Sequence, residues 1–292
     1  DIIAAKSPLY EKASIDEFYI DLTGMDRFFD PLQWTIDLRK EIMETTGLPI
    51  SFGLASNKMV AKMATNAAKP NGFLQVLAGK EKEFLAPLQV GEIPGVGEHM
   101  LKTMHSLGIM TINDLSAYPQ HLLEQNFGKY AEVLQQKAEG IHSGSVHHFH
   151  EAKSMSTEHT FSENSADQDF LQAELMRMTE KLGHELREDG KMTKCVAVKI
   201  RYPDFETHTR QMAIAPSSYD DELIKVVKDL FGNLYKQKHA VRLIGVRFSE
   251  LTDSSLQTDL FENRVRKASL YTAIDAVKLR FGKKSVGRGK MK

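Results

Sequence analysis

The amino-acid sequence predicts an α+β protein made of several folded units, and three observations lead to this prediction. Residues 155–252 alternate between strand-like and helix-like apolar periodicity in the order β-α-β-β-α-β. Residues 83–141 show helical periodicity only, broken by glycine and proline turns. The chain has 292 residues, of which 41% are hydrophobic and 26% charged, which is enough for two or three globular domains.

Composition argues against several classes of protein. A single cysteine, Cys195, excludes an internal disulfide framework, and its apolar surroundings favour a buried, inert thiol over a nucleophile. No stretch approaches the roughly 18 apolar residues of a membrane-spanning helix, and the first residues lack the layout of a signal peptide. We therefore expect a cytoplasmic protein that does not enter a membrane.

Charge is distributed unevenly along the chain. The net charge is −1, but residues 264–292 contain ten Lys or Arg and one acid, a local charge of +9. The rest of the chain therefore carries about −10. This asymmetry predicts an acidic metal site in the body of the protein and a basic tail that meets phosphates. A solvated, disordered tail is the alternative.

Residues 13–21 read ASIDEFYID and place two adjacent carboxylates, Asp16 and Glu17, among apolar side chains. Such carboxylates need a cation, because burial of an unpaired charge is costly. The aromatic and β-branched residues indicate a short strand, in which neighbouring side chains point to opposite faces. Both carboxylates can bind one divalent metal only at a strand end or bulge. An exposed acidic pair at a strand terminus is the alternative.

The next segment predicts a helix over residues 31–46, a strand over residues 50–54 and a second helix that begins at residue 56 or 57. The second helix ends before a Lys-Pro-Asn-Gly turn, because a residue that precedes proline disfavours the helical conformation. Lys69 opens this turn and is well placed to bind a phosphate. A lysine that is only solvated is the alternative.

The all-helical segment contains the sequence EIPGVG, in which Gly95, Val96 and Gly97 lead into a helix. Such a turn exposes backbone N–H groups at the positive end of a helix, where they bind phosphate without reading a base. Residues 83–141 therefore predict a small unit of the helix-hairpin-helix type. A simple packing corner between helices is the alternative.

A polar segment follows and reads as an interdomain linker. It contains four histidines, which are His142, His147, His148 and His150. Metal binding by these histidines is the alternative, but they lack the fixed spacing of a zinc site.

The β-α-β-β-α-β segment predicts a four-stranded sheet with both helices on one face and the other face free for a ligand. The strands are expected near residues 156–161, 194–202, 206–215 and 241–248. Ser218 and Asp221 are expected to form a capping box at the second helix. Lys199, Arg201 and Arg210 suggest an exposed basic sheet, although Arg242 and Arg247 fall on opposite faces.

A short motif in the polar segment after the last strand contains Gln257, Leu260 and Phe261. An exposed Leu-Phe pair beside a linker is typical of a segment that docks in a hydrophobic pocket of a partner protein. Folding back onto the last sheet is the alternative.

Together these motifs identify a family. SIDEFYID, AAKPNG, IPGVG and the β-α-β-β-α-β segment occur here in the order found in the Y-family translesion DNA polymerases, and the chain resembles the bacterial DNA polymerase IV group most. The resemblance implies a partial palm (1–78), a helical thumb (79–141), a linker (142–154), a little finger that grips DNA (155–252), and a clamp-binding motif with a basic tail (253–292).

The resemblance also implies the chemistry of DNA synthesis past lesions by two-metal nucleotidyl transfer. Asp16 would bind both Mg²⁺ ions, Glu17 the catalytic ion, and Lys69 the incoming deoxynucleoside triphosphate. The glycine turn of the thumb would hold primer phosphates, and the motif at residues 257–261 would dock on the sliding clamp. The implied protein is a monomer that binds primer-template DNA.

One departure from the family pattern affects this expectation. Family members begin with a strand that supplies another metal-binding aspartate, followed by the fingers, and this sequence starts after both. We therefore expect a truncated polymerase that synthesises DNA poorly or not at all. A catalytically silent remnant that binds DNA and the clamp is the alternative function.

Overall fold

The computed structural model describes residues 2–148, 151–235, 239–254, 262–282 and 285–287. The chain forms two compact units, Asp1–His150 and Glu151–Lys292. Each unit is built around its own cluster of buried apolar side chains. Within the described ranges, no helix is both long enough and apolar enough to cross a membrane.

The first unit opens with two small sheets and the helices that connect them. Its first elements are α1 (Ile2–Lys6), β1 (Tyr10–Lys12), β2 (Phe18–Ile20), α2 (Pro31–Thr46), β3 (Phe52–Leu54), α3 (Lys58–Ala67) and β4 (Phe73–Gln75). β1 and β2 pair antiparallel, whereas β3 and β4 pair in parallel and α3 connects them. α2 has the predicted bounds, whereas α1, β1 and β4 were not predicted.

Local capping signals determine where α2 and α3 begin and end. The Asp30 carboxylate accepts a backbone N–H of the first turn of α2 at 2.9 Å. Gly47 ends the helix with a φ of 71°, a left-handed conformation that glycine adopts without a steric penalty. Asn57 caps α3 in the same way as Asp30, with an O···N distance of 3.1 Å. These polar caps explain why α2 begins at the predicted residue and α3 begins one residue after the predicted Asn57.

α3 is fixed closely between β3 and the interior of the unit. Met59, Val60 and Met63 on its inner face are almost completely buried. On the β3 side, Gly53 permits the close approach, because a Cβ atom at this position would clash with the Ala61 carbonyl oxygen of α3. The backbone position of α3 is therefore determined by contacts on two sides.

The elements of the first unit after β4 are helices, which confirms the predicted all-helical segment. Its helices are α4 (Glu81–Leu85), α5 (Glu98–Ser106), α6 (Ile112–Ala117), α7 (Gln120–Phe127) and α8 (Tyr130–Ala138). Buried Leu85, Met104 and Leu134 from these helices join the same apolar cluster as Val60 and Met63 of α3. The segments 1–78 and 79–141 thus share one core.

The second unit contains the predicted β-α-β-β-α-β order. Its elements are β5 (Ser154–Ser165), α9 (Gln168–Glu188), β6 (Lys191–Arg201), β7 (Thr207–Ser217), α10 (Asp220–Leu234) and β8 (Val241–Asp253). The strand order in the sheet is β5-β8-β6-β7, and all neighbouring strands are antiparallel. Leucine side chains of α9 and α10 pack on Val196, Val198 and Ile200 of β6 to form the core. Cys195 is buried in β6, as predicted.

The predicted capping box of α10 is wrong. The helix begins at Asp220 with Tyr219 as its N-cap residue, and no side chain caps it. Instead, the Ser217 hydroxyl donates to Glu222 at 2.5 Å and accepts the Tyr219 N–H at 3.2 Å. The Asp221 carboxylate accepts a hydrogen bond from Tyr271, which lies in a further helix.

That further helix, α11 (Glu262–Phe281), makes the alternative of a disordered tail wrong for this part of the basic segment. Arg187 of α9 donates to the Asp275 carboxylate from Nε at 2.7 Å and from Nη2 at 3.1 Å. Its guanidinium also donates to Asp220 at 2.7 Å and lies 4.6 Å from the ring centre of Tyr271. His184 contacts Asp275 at 2.9 Å. Polar contacts therefore attach α11 to α9 and α10.

Candidate active site and nucleic-acid interface

The adjacent carboxylates lie in the turn before β2, at a strand end, where the sequence analysis required them for binding one metal. The Ser14 hydroxyl donates to Asp16 Oδ1 at 2.7 Å and accepts the Glu17 N–H at 3.1 Å, so it fixes this turn. The hydrogen bond from Ser14 is the main cause that lowers the pKa of Asp16, with smaller contributions from Lys69 and Lys62. Asp16 is thus an exposed, ionised carboxylate.

A lysine of α3 forms an ion pair with the second carboxylate, Glu17. Lys62 Nζ lies 2.9 and 2.7 Å from the two carboxylate oxygens of Glu17. Both side chains are partly exposed, at 30% and 42%. Because an exposed ion pair contributes little stability, Glu17 can exchange this partner for another cation.

Lys69 lies in the loop between α3 and β4, where the sequence predicted a turn. The peptide bond from Lys69 to Pro70 is cis, and Asn71 has a left-handed φ of 51°. Arg39 of α2 fixes this loop, because Nη2 donates to the carbonyl oxygen of Asn71 at 2.8 Å and to its side-chain oxygen at 2.6 Å. Arg39 Nε also donates to the carbonyl oxygen of Ile50 at 2.9 Å. The loop presents Lys69 to solvent.

The two carboxylates fit part of a divalent-metal site. Carboxylate oxygens are the ligands that Mg²⁺ prefers, and Asp16 is ionised and accessible. Among the described residues, no group of three or more His, Cys, Asp or Glu side chains is arranged to hold a metal ion. The described residues thus offer two carboxylates as candidate ligands, and the described histidines of the linker are not part of any such group.

The glycine turn of the helical segment leads into the N-terminus of α5, and the Val96 N–H donates to the Ile93 carbonyl oxygen at 3.0 Å within the turn. Gly95 has a left-handed φ of 94°, and a Cβ atom there would lie 3.3 Å from Lys137 Nζ. Lys137 donates to the carbonyl oxygen just before Gly95 at 2.6 Å and so supports the turn. Gly97 is the N-cap residue of α5, next to Val96, and open space surrounds it. The first N–H groups of a helix have no intrahelical partner, so this turn can bind an anion.

The sheet of the second unit has one face without helices. Lys199 pairs with Gly245, Arg201 with Leu243, and Ala197 with Arg247, so the three basic side chains project from that face. Arg210 pairs with Val198, a residue of the buried core, and therefore projects from the helix-bearing face. The structure thus brings Lys199 and Arg201 together, adds Arg247, and separates Arg210 from them.

Neighbouring side chains orient two of these cations. Lys199 forms an ion pair with Glu158 of β5, and Arg201 Nε donates to the Thr207 hydroxyl at 2.8 Å. Arg247 is exposed. The candidate clamp-binding residues Gln257, Leu260 and Phe261 lie outside the described residues.

Comparisons with known proteins agree along the whole chain. The family model of the impB/mucB/samB family matches residues 1–66, the model of its C-terminal domain matches residues 152–260, and that of the thumb domain of DNA polymerase iota matches residues 91–141. DNA polymerase IV of Dehalococcoides mccartyi is 36% identical over 292 residues, which cover 99% of this chain and 75% of that protein. DNA polymerase IV of Opitutus terrae is also 36% identical, with 97% of this chain and 74% of that protein covered. The chain belongs to the Y-family DNA polymerases.

Solved structures show the same fold. A Y-family DNA polymerase chimera superposes with a TM-score of 0.74 at 22% identity, over 86% of this chain and 74% of that chain. DinB from Sulfolobus solfataricus superposes with a TM-score of 0.53 at 24% identity, over 85% and 73%.

Membership of the Y-family defines the class of reaction that this chain catalyses. The chain is a DNA-directed DNA polymerase of the polymerase IV type and a metal-dependent nucleotidyltransferase, and its substrates are DNA and nucleotides. The alternative of a silent remnant is not better supported by the relatives than translesion synthesis.

Sequence reasoning missed several residues that shape this polymerase site. Lys58 and Lys62 of α3 and Arg39 of α2 received no role from the sequence. The spacing of four residues between the two lysines was a usable signal, because such residues are neighbours on a helix. Their partners were not predictable, because those carboxylates lie more than 40 positions away in the sequence.

Proposed function

We propose that this Y-family polymerase carries out template-directed DNA synthesis past lesions at Asp16 and Glu17, with two Mg²⁺ ions. One observation carries the assignment: the Ser14 turn holds two adjacent carboxylates, Asp16 and Glu17, at a strand end, with Lys62 bound to Glu17 and Lys69 near enough to lower the pKa of Asp16. An acidic pair that faces two cations is suited to a negatively charged nucleotide held through a metal.

Each residue has a distinct part in this reaction. Asp16 and Glu17 would hold the metal, which when bound supplies charge stabilisation for the attacking hydroxyl and the leaving pyrophosphate. Lys69, on the loop fixed by Arg39, binds the triphosphate as a point charge. Lys62 balances the charge of Glu17 through their ion pair.

We assign DNA binding to two surfaces that contact the phosphate backbone of DNA. The turn at Gly95, Val96 and Gly97 binds primer phosphates through the first N–H groups of α5, because the Val96 N–H is already bonded to Ile93 within the turn. Lys199, Arg201 and Arg247 on the free face of the sheet bind phosphates of the duplex. We assign Arg210 no part in that surface, because it projects from the opposite face.

The remaining roles follow from the family. We propose that residues 1–78 form the palm part, 79–141 the thumb, 142–154 a linker and 155–252 the little finger, and that residues 253–292 carry the clamp-binding motif. The protein would act on DNA as a cytoplasmic monomer. Residues 257–261 would dock it on the sliding clamp. Unchanged clamp binding after Leu260→Ala plus Phe261→Ala would contradict the docking assignment.

Primer extension with Mg²⁺ tests the active site. We expect Asp16→Asn to reduce incorporation by about a hundredfold or more, because removal of a metal-binding charge weakens stabilisation of the transition state. Asp37→Asn is the matched control, since Asp37 lies on the surface of α2 and contacts only Gln33 among the described hydrogen bonds. Equal incorporation by Asp16→Asn and the parent chain would contradict the assignment. A parent chain that binds DNA but incorporates nothing would favour the silent remnant.

A further inference from the structure

The carboxylate hairpin, which we define as residues 10–20, carries both candidate metal ligands but hardly enters the core. Its strands β1 and β2 have three residues each, and an isolated hairpin of this kind is marginally stable in water. Among its residues, all of which are described, only Glu11 is buried, with 7% exposure. Apolar packing in the described unit therefore does not fix the position of the hairpin.

A buried ion pair joins β1 to α3. Lys58 Nζ lies 2.7 and 2.6 Å from the two carboxylate oxygens of Glu11, and the side chains are 17% and 9% exposed. Glu11 also accepts the backbone N–H of His147 at 2.9 Å, and Lys58 donates to the carbonyl oxygen of Ser145 at 3.2 Å. Lys58 Nζ lies 4.8 Å from the ring centre of Tyr19 in β2. This pair thus touches both strands of the hairpin and the segment after α8.

The second ion pair lies one helical turn further along α3. Lys62 holds Glu17 at the start of β2, so consecutive turns of one helix hold the two sides of the hairpin. The two pairs differ in burial. Lys62 and Glu17 are both partly exposed, which leaves Glu17 accessible to a metal. Lys58 and Glu11 are mostly buried, and each buried charge is destabilising without the other.

We propose that Glu11 and Lys58 are positioning residues, which fix the carboxylate hairpin on α3 so that Asp16 and Glu17 meet the metal and the nucleotide in one geometry. This role rests on the proposed function for its consequence in catalysis. The anchoring itself is a property of the protein without substrate. Because two charge-assisted hydrogen bonds converge on one carboxylate, the pair determines both the distance and the orientation of β1 relative to α3. The segment at Ser145 and His147 closes the pair from the other side.

Hydrogen–deuterium exchange tests the anchoring in the full chain. A single Lys58→Met variant leaves a buried charge and is prone to unfolding, so the test uses Glu11→Gln combined with Lys58→Met, which keeps size and neutralises both partners. We expect amides of residues 10–20 to exchange about tenfold faster or more, because local opening becomes easier. Amides of α5 and α8 should be unchanged. A single Lys58→Arg variant, which keeps both the charge and its partner Glu11, should exchange as slowly as the parent chain.

The matched control makes the same two chemical changes at another ion pair. Lys6 Nζ lies 2.5 Å from Glu41, and both side chains are exposed by more than a third. Lys6→Met with Glu41→Gln should leave exchange of the hairpin as it is in the parent chain. Unchanged hairpin exchange in a folded Glu11→Gln, Lys58→Met variant would overturn the proposal.

A second measurement links the anchor to the metal. The Mg²⁺ concentration for half-maximal primer extension should rise severalfold in the Glu11→Gln, Lys58→Met variant, and the single Lys58→Arg variant should match the parent chain. A variant with faster hairpin exchange and an unchanged Mg²⁺ requirement would refute the positioning role. A parent chain without polymerase activity would contradict the proposed function, and the exchange experiment would still decide whether the anchor exists.

Discussion

Replacement of Arg187 by methionine should strongly destabilise the second unit. The guanidinium is 11% exposed and donates to Asp220, whose side chain is 5% exposed, and to Asp275, whose side chain is 20% exposed. Its removal leaves these carboxylates in poorly solvated places without their main cation. Loss of one partner from a buried charge network costs about 3–5 kcal/mol of unfolding free energy.

The value of about 3–5 kcal/mol corresponds to a fall in melting temperature of roughly 10 °C or more for a unit of this size. Thermal and urea unfolding of the full chain, followed by circular dichroism, measures this change. Arg177→Met is the control on the same helix, because Arg177 is 48% exposed and such surface changes alter stability by about 0.5 kcal/mol or less. A loss below about 1 kcal/mol for Arg187→Met would refute the reasoning that buried charge pairs attach α11.

Three further predictions concern pH, nucleotide binding and DNA binding. Hydrogen bonds from Arg187 and His184 lower the pKa of Asp275 despite its burial. The contribution of Asp275 to stability is therefore present above the ordinary carboxyl pKa and is lost as the pH falls through the lowered pKa. Asp275→Asn should make the melting temperature fall less steeply with decreasing pH in this acid range. Arg39→Met should raise the KM for nucleotide severalfold with a smaller effect on kcat, because the loop of Lys69 loses its hydrogen bonds, whereas Lys40→Met on the same helix should change neither. Arg247→Met should reduce the slope of log DNA affinity against log salt by about 1, and an unchanged slope would remove Arg247 from the interface.

Local signals in the sequence were sufficient for much of the fold. α2 has the predicted bounds because an aspartate cap, a proline in the first turn and a left-handed glycine all act within one helix. The four-stranded sheet was predictable because its core residues follow strand and helix periods. α1, β1 and β4 have three to five residues each, too few to show a period.

Features that depend on long-range pairing were not predictable. α11 presents charged residues toward α9 and α10, so apolar periodicity, which identified the other long helices, gave no signal. Arg210 was assigned to the basic surface because register between β6 and β7 cannot be read from one strand alone. The site residues Asp16, Glu17 and Lys69 came from motifs, whereas Lys58 and Arg39 act through contacts that only the folded chain shows.

Gly53 has a consequence for mutational tolerance in the first unit. The glycine faces α3 from β3, on the side of the helix where a Cβ atom would meet the Ala61 carbonyl oxygen and the Ala64 side chain. Lys58 and Lys62 of α3 bind Glu11 and Glu17 of the hairpin. A displacement of α3 at its contact with Gly53 would therefore also displace the hairpin. A methyl group at position 53 would therefore disturb the acidic ligands without touching them, and random mutagenesis should find this position as intolerant as the ligands themselves.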